Sequence, residues 1–133
     1  MRKFVAAIFL AAFVACGGDS STNPSASIAG TYTLRTVNGS ALPFTVYSDV
    51  TTKIEVTDDA ITLNDGGTFT ESGHTRTTTN GRVTTESIVD AGTYVRNGTA
   101  ITLKGADGTP TPGSLNGSSL TLTDTGISAV YSK

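Results

Sequence analysis

Asn-Gly recurs at 38, 80, 97 and 116, with Asn-Asp-Gly at 64, each time between short runs rich in Thr, Val, Ile, Leu and Tyr. A two-residue primed turn needs positive φ at its central positions, which Asn and Gly tolerate best, so each such dipeptide predicts a tight hairpin. Gly92 to Gly105, GTYVRNGTAITLKG, is the clearest copy. In its returning strand Ile101 and Leu103 alternate with Thr102 and Lys104, giving one apolar and one wet face. No stretch after the N-terminal apolar run has helical periodicity. The prediction is an all-β antiparallel up-and-down meander of up to about ten short strands, closed into a small barrel because closure removes exposed edges. A two-sheet β-sandwich is the alternative, since a sequence reports strand number better than closure.

Taken in order, Gly30 to Val37 alternates Tyr32 and Leu34 against Thr31, Thr33 and Arg35 and reads as the first strand. Pro43 interrupts Ala41 to Ser48, which belongs at an edge, a bulge or a loop across one end of the sheet. Thr52 to Thr57 and Ala60 to Asn64 flank Asp58-Asp59, read as a turn, with Ile54, Val56, Ile61 and Leu63 pointing inward. A turn at 64–67 leads to a strand with Phe69 inward. Residues 74 to 86 form a Thr-rich hairpin with hardly an apolar side chain, so it should project from the rim or be the least ordered hairpin. Pro110 and Pro112 mark ADGTPTPG, residues 106 to 113, as a loop. A hairpin at Asn116-Gly117 and a turn at 124–126 lead into the last strand, ISAVYSK.

The N-terminus has its own logic. Arg2 and Lys3 precede an apolar run, Phe4 to Ala15, that is too short to span a bilayer and has the layout of an export signal. Phe13-Val14-Ala15-Cys16 resembles the lipobox of bacterial lipoproteins, which implies lipidation of Cys16 and cleavage just before it. The alternative is ordinary cleavage after Ala15 leaving a free Cys, against which the bulky Phe13 argues. The expected organisation is a signal peptide at 1–15, a lipidated Cys and flexible tether at 16–27, and a β-barrel domain at 28–133. More than one acyl chain makes a stable membrane anchor. Gly17 rather than Asp after Cys16 resembles the outer-membrane case of lipoprotein sorting. Losing Arg2 and Lys3 takes the basic residues from 9 to 7 against 11 acidic ones, so nucleic acid is not an expected partner.

The series GTYTLRTVNGSALP, ITLNDGGTFTES, GTYVRNGTAITLKG and GSLNGSSLTLTD resembles the bacterial lipocalin-like domains, small lipoprotein or secreted β-barrels with this cadence of hairpins. In lipocalins a Gly-X-Trp motif at the first strand closes the barrel floor against a basic side chain near the end. Gly30-Thr31-Tyr32 stands at that place, and Lys133 is the basic residue available. The resemblance implies a non-enzymatic module holding a small apolar molecule or lipid. Tyr32, Phe69, Tyr94, Ile101, Leu103, Leu120 and Leu122 are the candidate lining residues. Those side chains line a cavity or fill the interior themselves, and their small number favours filling. The alternative function is a structural or interaction lipoprotein that meets another envelope protein through the hairpin at 74–86.

Other candidates weigh less. His74, the only His, could approach Glu71 and Glu86 as a metal corner, but Glu71 and His74 point to opposite faces of a strand, so an exposed polar residue is the better reading. Asp58-Asp59 suggests paired carboxylates for acid-base chemistry, yet adjacent residues alternate faces. Asn38-Gly-Ser, Asn97-Gly-Thr and Asn116-Gly-Ser match the glycosylation acceptor pattern only because Gly and Ser or Thr follow Asn in turns. No cofactor is expected, since no phosphate loop, nucleophile-base pair or metal cluster is visible.

Overall fold

The computed structural model describes residues 27–133. The expected signal peptide at 1–15, Cys16 and the expected tether up to residue 26 lie outside the described residues. Ten strands run β1 (Gly30–Val37), β2 (Ser40–Ala41), β3 (Phe44–Ser48), β4 (Thr52–Leu63) and β5 (Thr68–Thr79), then β6 (Arg82–Asn97), β7 (Ala100–Lys104), β8 (Pro110–Asn116), β9 (Ser119–Asp124) and β10 (Ile127–Ser132). Among the described residues there is no helix. From β4 to β10 each strand pairs antiparallel with the next, and β1 pairs with both β10 and β4. The predicted up-and-down meander therefore closes, as an eight-stranded barrel of β1 and β4 to β10. β2 and β3 sit in the β1–β4 connection, with Pro43 between them and β3 at the outer edge of β4.

Two kinds of turn make the hairpins. Asn38-Gly39 and Asn80-Gly81 have positive φ at both residues, 49° and 78°, then 48° and 81°. Asn97 and Asn116 differ from the expectation, because Asn97 pairs with Ala100 and Asn116 with Ser119. The central residues are then Gly98-Thr99 and Gly117-Ser118, with only the glycines at positive φ, 64° and 62°. Each Asn there is the last residue of its strand, and Gly at the first central position supplies the reversal.

Two further readings are corrected. Asp58-Asp59 is no turn: β4 runs through it, and a bulge between Val56 and Asp58 leaves Thr57 without a partner on β5. The extra residue reverses the alternation, so Val56 and Ile61 both face inward although their numbers differ by an odd step. Residues 110–113 are likewise strand and not loop. Leu115 N–H donates to Thr99 O of the β7 side at 2.7 Å, so Pro110 and Pro112, an odd number of residues away, turn their nitrogens to the other side. The β9 ladder stops at Gly113, and no hydrogen bond is lost there.

The interior is a graded stack. At one end Tyr32, Ile61, Leu63, Ile101 and Leu120 are fully buried and meet as a solid floor. Burying each such side chain stabilises the fold by about 1.5–3 kcal/mol. Tyr32 hydroxyl donates to Ile28 O at 2.7 Å, and Lys133 Nζ lies 5.1 Å from the centre of the Tyr32 ring. The same ammonium donates to Ser27 O and Ala29 O at 3.2 and 3.0 Å, tying the two ends of the domain together across the floor.

At the opposite end the wall is uneven. β5 and β6 pair continuously from Thr68–Thr93 to Thr79–Arg82. β7 covers only Thr93 to Asn97 of β6, and β1 covers only Ala60 to Leu63 of β4. The Thr-rich hairpin thus projects beyond the barrel, as predicted, within a four-stranded extension completed by β3. Glu55 is buried in it, with Lys53 Nζ at 2.6 Å and Arg76 bonding twice at 2.7 and 3.0 Å. These two cations, Lys53 foremost, hold its carboxyl below the usual range. Val46, Val83 and Val89 remain exposed on the extension.

Candidate functional site

Above the packed floor the barrel is open, with a cavity of about 280 Å³ at the end where the 105–109 loop and the β9–β10 turn lie. Its apolar lining is Phe69, Leu103, Leu122, Ala129 and the ring of Tyr131; its polar lining is Glu71, Asp90, Asp107 and Asp124 with Thr109 and Thr111. Register explains both. Phe69 and Glu71 are two apart on β5, and Leu122 and Asp124 two apart on β9, so each pair shares the inward face and the acid lies one rung nearer the mouth.

Two inward positions of the wall carry no side chain. Gly92 and Gly73 face the interior opposite Phe69 and Ile88. A Cβ at Gly92 would strike the Lys104 carbonyl, and one at Gly73 would strike Asp58 and Asp59. Close approach of neighbouring strands requires Gly at both.

The acids are not equivalent. Glu71 is opposite Asp90 on β6. Burial, then the charge of Asp59, pushes its carboxyl up to about 7. Asp59 is 5% exposed and accepts the Tyr131 hydroxyl on Oδ2 at 2.7 Å, while its Oδ1 has no hydrogen-bond partner. Burial raises the Asp59 carboxyl, and burial together with Asp59 raises the Tyr131 phenol. Asp90 Oδ1 accepts Ala91 N–H at 2.8 Å and Ala106 N–H at 3.1 Å, which fixes it at the start of the 105–109 loop. Thr109, donating its N–H to Asp107 Oδ1 at 2.8 Å, holds the Asp107 carboxyl low and ionised.

The predicted lining residues divide between the two halves of the barrel. Phe69, Leu103 and Leu122 line the cavity. Tyr32, Ile101 and Leu120 are in the floor, at 0–1% exposure. Tyr94 packs on the core's edge and donates its hydroxyl to Asn64 O at 2.6 Å. The carboxylates and Tyr131 were missed, although inward acids two residues from Phe69 and Leu122 are visible in the alternation. His74 is exposed and bonds Asp58 Oδ1 through Nδ1 at 2.8 Å, on the face opposite Glu71. Among the described residues no three His, Cys, Asp or Glu side chains are grouped to hold a metal ion. Compared with models of protein families, with curated proteins and with solved structures, the chain matches none of them.

Proposed function

We propose that this protein is a lipid-anchored, lipocalin-like barrel of the bacterial cell envelope, in the outer membrane by its Gly17, that binds one small molecule in its open end without catalysing a reaction. The observation carrying the binding reading is the cavity of about 280 Å³ on a solid floor, with Phe69, Leu103 and Leu122 in its lining. A pocket with a rigid apolar wall and a few placed polar groups is the usual form of a small-molecule site. Lys133 over Tyr32 supports the lipocalin likeness, since an aromatic ring near the chain start meets a basic side chain near its end. The anchor rests on the pattern from Arg2 to Cys16.

Apolar fluorescent probes and a cell-lipid extract titrated into the protein test the binding reading. Saturable binding with a raised melting temperature is expected; neither response across the mixture refutes it. Labelling with radioactive palmitate, lost in Cys16→Ser, tests the anchor.

A second reading is favoured by the extension. Among the described residues it leaves the outer edge of β6 from Arg82 to Ala91 unpaired and exposes Val83 and Val89 there, a ready template for another chain. In that reading the extension meets an envelope protein. Shortening the hairpin at 74–86 then abolishes capture of the partner while the barrel still folds; unchanged capture removes the idea.

A further inference from the structure

The outer edge of β6 has a definite pattern of free backbone groups. Thr79 pairs with Arg82 across the Asn80-Gly81 turn, and Tyr94 N–H donates to Gly67 O at 2.8 Å on the β5 side. Even-numbered residues of β6 therefore turn their backbone groups toward β5, and odd-numbered ones turn theirs outward. From Thr93 onward β7 takes up the outward set. Ala91 N–H is bonded to Asp90 Oδ1, which also accepts Ala106 N–H, so the 105–109 loop takes over the edge there. Among the described residues this leaves Val83, Thr85, Ser87 and Val89 with N–H and C=O unpaired, on a strand that pairs with β5 without a bulge. β3, the other edge of the extension, is shorter and has an irregular register between Thr45 and Tyr47, a device that blunts an edge.

We propose that two copies of this chain pair β6 with β6, antiparallel, about a two-fold axis at Glu86, joining their extensions into one continuous sheet. This pairing rests on the second reading above and names its partner as another copy. A two-fold contact requires a surface that complements itself, and the four free residues do so in one register. Val83 meets Val89 of the other copy and Thr85 meets its Ser87, each pair exchanging both backbone bonds, so no donor or acceptor of the four is left over. An axis at Thr85 would call on Gly81 in the turn. An axis at Ser87 would call on Ala91, whose N–H is already used. The side chains agree with the register at Glu86. Val83 and Val89, 57% and 79% exposed, cover each other, and Arg82 comes opposite Asp90, an attractive cross-strand pair. One pair opposes association: Glu86 stands across from Glu86 of the other copy, like charge against like. The dimer is accordingly weak and depends on concentration.

Sedimentation of the full-length protein between about 1 µM and 1 mM, the range of a small transient contact, tests this. The mass should rise from one copy to two and no further. Glu86→Gln should tighten the dimer about three-fold. Ser87→Pro should abolish it, because the N–H removed faces outward and the barrel does not use it. If that variant does not fold, Val83→Lys combined with Val89→Lys carries the comparison, since it sets like charges opposite one another on an exposed face. Glu86→Cys should give a disulfide-linked dimer on mild oxidation, because residues on the axis bring their Cα atoms to about 4.5 Å. Thr84→Cys, which faces Ile88 in this register, should not; both are made in a Cys16→Ser chain so that no other thiol is present. A monomer at every concentration, a dimer unaffected by the two lysines, or cross-linking through Thr84→Cys in place of Glu86→Cys overturns the proposal. If the monomer still captures an envelope protein through the hairpin at 74–86, the second reading stands without it; neither self-association nor capture removes both. Mass growing beyond two copies assigns the contact to β6 of one copy and β3 of the next and overturns the two-fold pairing.

Discussion

Glu71→Gln should stabilise the protein at pH 8 and leave it unchanged at pH 4.5. Glu71 faces Asp59 from β4, Asp90 from β6 and Tyr131 from β10, and burial, then Asp59 and Asp90, raises its carboxyl from 4.5 to about 7. An acid raised on folding keeps its proton in the native state while the unfolded chain loses it. Stability therefore falls as pH climbs from about 4.5 to about 7 and stays low above that. At ~1.4 kcal/mol per unit the ceiling is about 3.5 kcal/mol. Glu71 borders an open cavity, and solvent screening brings the expected effect to about 1–2 kcal/mol. Gln keeps the shape of the neutral acid and removes the penalty. Urea midpoints of both proteins at pH 4.5, 6 and 8 read the difference directly, and at pH 8 the melting temperature of the variant should be several degrees higher. Asp49, Glu55 and Asp107, all held low, lose their stabilising effect only at more acid pH, outside this window. A stability difference that is the same at all three pH values, or a variant weaker at pH 8, refutes the reasoning.

Three other outcomes follow from the packing. Leu120→Ala, in the solid floor at 0% exposure, should cost about 2–5 kcal/mol, whereas Leu122→Ala beside the open cavity should cost less because no sealed void remains; urea unfolding of the pair measures the gap. Thr125 sits at a φ of 41° beside Gly126 at 84°, a strained setting for a β-branched residue, so Thr125→Asn should add about 0.5–1 kcal/mol by the same measure. Lys133→Met removes the contact over Tyr32 and the bonds to Ser27 O and Ala29 O. It should cost about 0.5–1 kcal/mol and speed amide exchange at Tyr32 and its neighbours more than at β7.

The alternation in the sequence carried the fold class because a half-buried antiparallel sheet writes its inward face at every second residue. It even carried the change of parity between Val56 and Ile61, but a turn and a bulge both produce that change. Pairing with β5 decides between them, and no local propensity of Asp-Asp reports it. Pro110 and Pro112 misled for a related reason. Their missing N–H groups matter only if a neighbour's carbonyls face them, and the β8–β9 ladder ends at Gly113 and Leu122, before it reaches either proline. The site was legible in its apolar half, as Phe69, Leu103 and Leu122. Its acidic half was hidden because a carboxylate on an inward register position normally marks an exposed end of a strand. Only the relative heights of β5, β6 and β9 in the closed barrel bring Glu71, Asp90 and Asp124 to one opening.

The Lys133 clasp also gives the molecule a direction. At the floor that ammonium grips Ser27 O and Ala29 O, and the carboxylate-lined mouth lies at the far end of the same axis. The two ends of the barrel are therefore chemically unlike: one is shut by the Tyr32 ring, an ammonium and aliphatic side chains, and the other is open and edged with carboxylates. A solute of the cavity's size enters and leaves by the acidic end.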